Sequence, residues 1–538
     1  MCHNYSEIAS KYRIIDLIML NIKGFAIGPF KLEDVPKSAK FSGLMTRPKP
    51  NGGTRIILNL SAPKKRSVND GIDSKQFPTK MSSTTEWLRV LHRAGKNCWI
   101  LKTDLSDAYK HIAVRLQDVD LQWFEWLGMG FAELCLIFGC TSSAGIFDAV
   151  AKIFLYIVLK RCGFDPLWII QHLDDFCAAC PHNQLQQLQN LDKAFMEVAQ
   201  QLGVSLAPRD DPTKSFAPSH QGVVLGIEYD TQAWTWSMPQ EKLARMVKAI
   251  AEAVKGDVIL QCDLWSITGK IIHIMPLIPA GKYVVDHILR ANSESEERDH
   301  VVTITDKLRR QLCFWRDIIP LCSGHLLIPN PDTHLAPWAI NVDTDASGGT
   351  TNEPWHGVGA VTVGWWAFMP WGQKINTGQL SETGKQLDRV MSCLELLGPL
   401  LVLSAGASWL QNKHVRIFVD NDGAVHIFRK GYSTSCPLSS SVVKAISTVA
   451  AAIGCSVEVA MITRCSSPGA RMADMLSKGK FELFKELAAT EQYQMPTCMA
   501  TVPNSLLAWV ADPKEDDFLG NRILEELAVH MDILGVSV

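Results

Sequence analysis

The chain has 538 residues, 47% of them hydrophobic and 20% charged, with a formal net charge of -2. The length predicts several domains, and the composition excludes a chain that is disordered throughout. The near-zero charge excludes a uniformly basic nucleic-acid binder, although the distribution of charge matters more than its sum.

The N-terminus, "MCHNYSEIASKYR", is polar and carries no secretory signal. Fifteen scattered cysteines suit a reducing compartment rather than a disulfide framework. An intracellular protein, in cytoplasm and/or nucleus and not secreted, is therefore expected. From Pro36 to Val68 there are eight basic residues and no acid. Such a patch suits a local grip on phosphates, and a solvated charged loop is the plainer alternative. "NCWILKTDLSDAY" reads as a strand that ends in a polar turn and enters a helix. "GIFDAVAKIFLYIVLKRCG" reads as a long helix closed by Gly163. "PLWIIQHLDDFCAAC" reads as two strands joined by a tight acidic turn. Cys177 and Cys180 in that run fit core cysteines better than zinc ligands, because no second pair follows at metal spacing.

Helical periodicity dominates from about Pro239 to Gly324, and the Pro-rich "LLIPNPDTHLAPW" marks a boundary near residue 332. A second α/β pattern follows. "AINVDTDAS", "GVGAVTVGWWAF" and "VRIFVDND" read as strands. The run from Val390 to Leu410 reads as a buried helix rather than a membrane span, since Glu395 interrupts it without a basic flank. "SSSVVKAISTVAAAIG" reads as another helix. After Phe481 the chain looks foldable and acidic.

Two carboxylate constellations stand out. Asp174 and Asp175 at a strand–turn–strand, with Asp104 at another strand end, could converge on divalent metal, whose preferred ligands are carboxylate oxygens. The plain readings are a solvated turn for the pair and a helix N-cap for Asp104. Asp107 is the weaker ligand candidate. Asp345, Glu395, Asp420 and Asp474 form the second set, with Asp474 expected to open a helix and Asp343 as an alternative to Asp345. Caps and a turn are the plain readings there, but an unpartnered Glu395 in an apolar run is costly.

"KTDLSDAYKHIAV", "FGCTSSAGIF" and "HLDD" resemble successive palm motifs of a reverse transcriptase, and "RPKPNGGTRIILNLSAPKKRSVNDGI" resembles its fingers. The likeness is greatest to DIRS-like retrotransposons, whose elements also carry a tyrosine recombinase. It rests on R-x-I-x-x-L-S-x-P ending in S-V-N-D, on F-G-x-x-S-S-A, and on "LIPAGKYVVDHIL" followed by "FWRDIIP". "TDAS", "ELL", "DN" and "ADMLSK" resemble a ribonuclease H domain.

The resemblance implies an α+β right-hand polymerase followed by a helical connector and an α/β ribonuclease H-like domain. Expected divisions are fingers and palm over 1–235, thumb and connector over 236–332, ribonuclease H over 333–480 and an acidic tail over 481–538. It implies that Asp104, Asp174 and Asp175, with the backbone of Leu105, hold two Mg²⁺ (or Mn²⁺). Asp345, Glu395, Asp420 and Asp474 would hold two more. It implies that Lys49 and Arg55 grip the triphosphate and that Tyr109 lies under the incoming sugar. Gly139 and the Ser142–Gly145 loop would back the template and the base. Lys214 would protonate departing pyrophosphate, and Leu225–Gly226 would belong to the primer grip. The implied partners are an RNA template, a DNA primer, RNA–DNA hybrid, dNTPs and an element-encoded tyrosine recombinase, with no membrane. Departures from the pattern are His172, Cys140-Thr141, Gly145, Arg464 and Ala470. Gly145, Arg464 and Ala470 motivate the alternative of a domesticated or decayed copy that binds nucleic acid without catalysis.

Overall fold

The computed structural model describes residues 24–48, 54–278, 281–282, 284–324, 340–348, 357–372, 375, 387–411, 413–431, 433, 436–463, 466–491, 500–514 and 519–530. Lys49, Arg464 and the Pro-rich segment 326–338 lie outside the described residues. The chain divides into two compact units, Met1–Gln232 and Ala233–Val538.

In the first unit, strand β1 (Ala26–Lys31) is followed by a hairpin of β2 (Gly43–Pro48) and β3 (Thr54–Asn59), which sets Arg47 opposite Arg55. Helix α1 (Thr84–Ala94) starts on a capping box, with Ser83 and Glu86 each satisfying the other's backbone N–H. Strand β4 (Trp99–Asp104) leads to β5 (Trp123–Trp126) and β6 (Met129–Glu133), and these last two form a sheet with β1 in the order β1-β6-β5. Then come α2 (Ser143–Cys162), β7 (Ile169–His172), β8 (Asp175–Cys180), α3 (Leu185–Leu202), β9 (Phe216–Ser219), β10 (Gln221–Val224) and β11 (Ile227–Asp230). The central sheet is antiparallel, in the order β7-β8-β4-β9.

Alternation along β4 and β8 sorts the side chains onto two faces. Leu101, Phe176, Ala178 and Cys180 pack with Phe147, Phe154, Leu188 and Phe195 of α2 and α3 in one core. Lys102, Asp104 and Asp175 occupy the opposite face. Gly163, in the left-handed region at φ 66°, closes α2 as expected. The expected helix after Asp104 is reduced to one 3-10 turn, Ala108–His111, because Asp107 takes a left-handed φ of 53°.

The second unit opens with helices α4 (Gln240–Lys255), α5 (Gln261–Ile274), α6 (Asp286–Asn292) and α7 (Asp306–Cys322). A five-stranded sheet follows, of β12 (Ile340–Ala346), β13 (Gly357–Thr362), β14 (Trp365–Pro370), β15 (His414–Val419) and β16 (Ser456–Met461). Its order is β14-β13-β12-β15-β16. The β12–β15 and β15–β16 pairs are parallel, and the other two are antiparallel. "GVGAVTVGWWAF", read as one strand, is a hairpin that turns at Gly364, whose φ of 76° suits glycine.

Helices α8 (Leu387–Ala405), α9 (Asp422–Lys430), α10 (Pro437–Ala452), α11 (Pro468–Ser477), α12 (Phe481–Thr490), α13 (Asn504–Ala511) and α14 (Leu519–His530) complete the unit. Leu396, Leu400, Val442 and Ile446 are fully buried against the sheet. Leu506, Trp509, Val510, Leu519 and Ile523 join the same core. Glu526 of α14 accepts the Asn504 and Ser505 backbone N–H groups at 2.7 and 2.8 Å, which caps α13. Helices α13 and α14 therefore help build this unit. Among the described residues no helix is long and apolar enough to cross a membrane.

Because Trp509 is buried in that core, Trp509→Ala should cost about 3–5 kcal/mol of stability. Denaturant unfolding checks this, and an unchanged midpoint would mean that α13 contributes nothing to the core.

Candidate active sites

Pairing of β4 with β8 sets Asp104 directly opposite Asp175. Asp174 fills the turn between β7 and β8, and its carbonyl accepts the Leu105 N–H at 3.1 Å. Leu173 begins that turn at φ 54°. Its carbonyl accepts from the Gln171 amide at 3.2 Å, and the same amide lies 3.4 Å from buried Asp148. Thus Asp104, Asp174, Asp175 and the Leu105 backbone come together at the end of one strand pair. Ser215 Oγ accepts the Asp104 N–H at 3.0 Å, which ties β4 to the start of β9.

Crowding of three acids has an electrostatic cost. Burial, then Asp175 and Asp174, push the Asp104 carboxyl up to about 7. Burial also raises Asp174. One Asp104 oxygen, Oδ1, is buried without a hydrogen-bond partner. An orphaned carboxylate oxygen among like charges is the vacancy that a hard divalent cation fills, so these residues fit Mg²⁺. Lys102 reaches into the cluster, with Nζ 3.2 Å from Asp175 Oδ1.

The cluster is framed by close packing and by tight backbone approaches. Tyr109 packs between Phe138 and Phe147, with ring centroids at 4.7 and 5.4 Å. Gly139 has φ 102°, and a Cβ there would lie 2.3 Å from the Leu58 carbonyl oxygen. Asn69 fixes the loop by donating to the Gly139 carbonyl at 2.7 Å and accepting the Thr141 N–H at 3.0 Å. A Cβ at Gly145 would lie 2.6 Å from the Phe77 carbonyl oxygen, so close backbone contact explains glycine there. His172 Nδ1 lies 2.7 Å from the Ser82 carbonyl oxygen, which anchors the hairpin. Lys214 is exposed and electrostatically coupled to Asp104. Leu225 and Gly226, both at positive φ, form the β10–β11 turn. Arg55 lies in β3, paired with Arg47 of β2. Cys177 and Cys180 are buried strand residues, as read from the sequence.

The second constellation is tighter. Asp345 ends β12, Glu395 projects from α8 and Asp420 follows β15. One ligand atom from each lies within 4.8 Å of the others, the one such trio among the described residues. Asp104, Asp174 and Asp175 are not drawn that close. Burial, then Asp345 and Asp420, raise Glu395 well above the usual carboxylate range. Glu395 Oε2 is buried without a hydrogen-bond partner, and the donor set is all carboxylate, so divalent metal fits here too. Asn421 caps α9 by accepting the Ala424 N–H at 2.9 Å, so "DNDG" is a helix start rather than a plain turn.

Asp474 departs from its expected place. Ser467 opens α11, and Asp474 sits in the second turn of that helix rather than at its start. Lys478, four residues on, grips both Asp474 oxygens at 2.7 and 2.8 Å, and Asp474 stands outside the trio. Asp343 faces the start of α11, accepting from Ser467 at 3.3 Å, and is likewise separate. Ser477 donates to Asp345 Oδ2.

Lys102, Ser215, Gln171, Asp148, Ser477 and Lys478 escaped the sequence reading. Period-2 alternation does place Lys102 on the Asp104 face, and i,i+4 spacing pairs Lys478 with Asp474.

No known family and no curated protein matches the chain. Solved structures of the foamy viral protease-reverse transcriptase are similar in outline. One, a dRH form in complex with double-stranded DNA, is 11% identical over 85% of this chain and 70% of that one, with TM-score 0.45. Another double-stranded DNA complex is 15% identical over 79% and 77%, with TM-score 0.43. An RNA/DNA hybrid complex is 14% identical over 86% and 55%, with TM-score 0.43. The fold itself is an α+β unit, then a second unit of helices followed by a five-stranded mixed sheet.

Asp104 sits above its ordinary value of 3.8 when folded, so the folded chain binds that proton more tightly than the unfolded chain. Its contribution to metal-free stability must fall as pH rises from about 4 to about 7. Thermal unfolding without metal should show a steeper decline across that window in the unmodified chain than in Asp104→Asn. Equal slopes would refute the shift.

Proposed function

We propose that the chain is an RNA-directed DNA polymerase of a DIRS-like retrotransposon, with an attached ribonuclease H that cleaves RNA in RNA–DNA hybrids. The observation that carries this reading is the β4–β8 register, which sets Asp104 against Asp175 with Asp174 in the adjoining turn. The domain divisions, partners and metals implied by the sequence motifs belong to the same proposal.

Asp104, Asp174, Asp175 and the Leu105 carbonyl would hold two Mg²⁺ (Mn²⁺ as a substitute) in the palm. Asp345, Glu395, Asp420 and, after release from Lys478, Asp474 would hold two in the second unit. Bound divalent metal would polarise phosphoryl oxygens and lower the pKa of the attacking hydroxyl or water. The chain's own residues do the rest. Lys49 and Arg55 would clamp the dNTP triphosphate, which orients its α-phosphorus toward the primer 3′-hydroxyl. The Tyr109 ring, wedged between Phe138 and Phe147, cannot yield to a ribose 2′-hydroxyl, so deoxynucleotides are favoured. The Gly139 loop presents bare backbone to the template and base. Exposed Lys214 is free to approach the leaving pyrophosphate and supply its proton. Most contacts to template, primer and hybrid would be to the backbone and helix shape rather than to base edges.

One observation favours the second reading, of a copy that binds nucleic acid without catalysis. Lys102 and Lys478 each hold a carboxylate that metal would need.

Primer extension on an RNA template with Mg²⁺ separates the two. The unmodified chain should extend the primer, and Asp174→Asn should lower the rate on the order of a hundredfold or more. Glu395→Gln should spare extension and abolish degradation of the RNA in a labelled hybrid. Failure of the unmodified chain to extend would leave the non-catalytic reading standing.

A further inference from the structure

Lys102 is the one cation inside the palm cluster among the described residues that is itself buried. Its side chain is 6% exposed and sits in the middle of β4, between buried Leu101 and Thr103. The ammonium has two fixed partners, the Asp175 carboxylate at 3.2 Å and the Thr213 carbonyl oxygen, to which it donates at 2.9 Å. A buried lysine without such partners would be costly. Thr213 lies in the turn that Asp211 organises, and that turn carries Lys214. Lys102 therefore ties one metal-ligand candidate to the segment bearing the proposed proton donor.

We propose that Lys102 is the resident counter-ion of the palm site: it holds the three aspartates together without metal and sets how weakly the site takes its first divalent cation. The inference rests on the polymerase reading of the same site. The side chain is packed within the sheet and cannot withdraw to solvent. A divalent cation that binds Asp175 must compete with the ammonium for Oδ1 and then remain beside a like charge. The lysine keeps its bond to Thr213 throughout, so its charge stays in the site. Lys102 is thus a positioning residue that acts through Asp175.

Mn²⁺ titration followed by electron paramagnetic resonance tests this in the full chain. All variants would carry Glu395→Gln, so that the second site is muted. Lys102→Met removes the charge, and Lys102→Gln removes it while keeping a donor for Thr213. Each should bind Mn²⁺ about tenfold more tightly than the parent, while Lys102→Arg should match the parent. Thermal midpoints without metal should drop in both neutral variants and recover more on Mn²⁺ addition than the parent's midpoint does. A merely structural lysine predicts instead equal losses with and without Mn²⁺. Affinity that is unchanged or weaker in folded Lys102→Gln overturns the counter-ion role and leaves the polymerase reading intact. Mn²⁺ binding identical in the parent and in Asp174→Asn overturns the polymerase reading, and the inference falls with it.

Discussion

Repulsion between carboxylates held in a poorly hydrated place is the constraint on which the rest of this molecule depends. In the first unit it arises from strand register. Asp104 and Asp175 face each other only because β4 and β8 pair as they do, and a slip of β8 by one residue would turn Asp175 to the helix-covered face. The packing of Phe176 and Ala178 against α2 and α3 opposes that slip, since it would bury an acid and turn those apolar side chains out of the core. Hydrophobic burial on one face therefore sets the electrostatic problem on the other.

The scaffold around that face is built from close backbone approaches. Gly139 and Gly145 both sit where a side chain would strike a carbonyl oxygen, of Leu58 and Phe77 respectively. Asn69 binds the Gly139 loop from both sides, and His172 ties the acidic hairpin to Ser82. Residues that look like departures from a motif thus have local physical reasons. Glycine at 145 admits the Phe77 backbone, and the histidine at 172 places a ring nitrogen against the Ser82 carbonyl oxygen.

Much of this was legible in the chain. Continuous apolar runs exposed the strands on either side of "HLDD", Gly163 announced the end of α2, and Glu395 betrayed itself as a charge in an apolar helix. What escaped was whatever depends on partners distant in sequence. Asp107 has no local signal for its left-handed φ, so the helix expected after Asp104 shrank to one turn. The hairpin at Gly364 was hidden because valine and tryptophan on either side read as one apolar strand. The chain after Phe481 reads as foldable, but its docking into the second core is only half legible, because acidic residues around 515–526 mask buried Leu506, Trp509 and Ile523. The cations opposing the carboxylates were missed for a simpler reason: a lysine two residues from an aspartate reads as surface charge until the strand is seen to be buried.

The two carboxylate clusters relieve the same repulsion in different ways. At Asp345, Glu395 and Asp420 the relief is a proton, since burial and two neighbouring acids raise Glu395 far above the ordinary range. A proton leaves when a metal arrives, because ligands must be deprotonated to bind. Apart from Lys478 beside Asp474, the metal-loaded trio would then keep no charge beyond that of its ligands and ions. In the palm the relief includes a lysine locked between Asp175 and Thr213, and that charge cannot leave. The palm would therefore stay one unit more positive when loaded. A site that must hold a triphosphate and then steady departing pyrophosphate gains from a fixed extra cation, because the charge it faces is large and lies beyond the metals' own ligands. A site that hydrolyses one phosphodiester at a time faces less charge and releases its products more readily without such a cation. The sheet-bound lysine and the helix-borne glutamate are thus opposite answers to one electrostatic demand, each matched to the charge of the substrate proposed for its site.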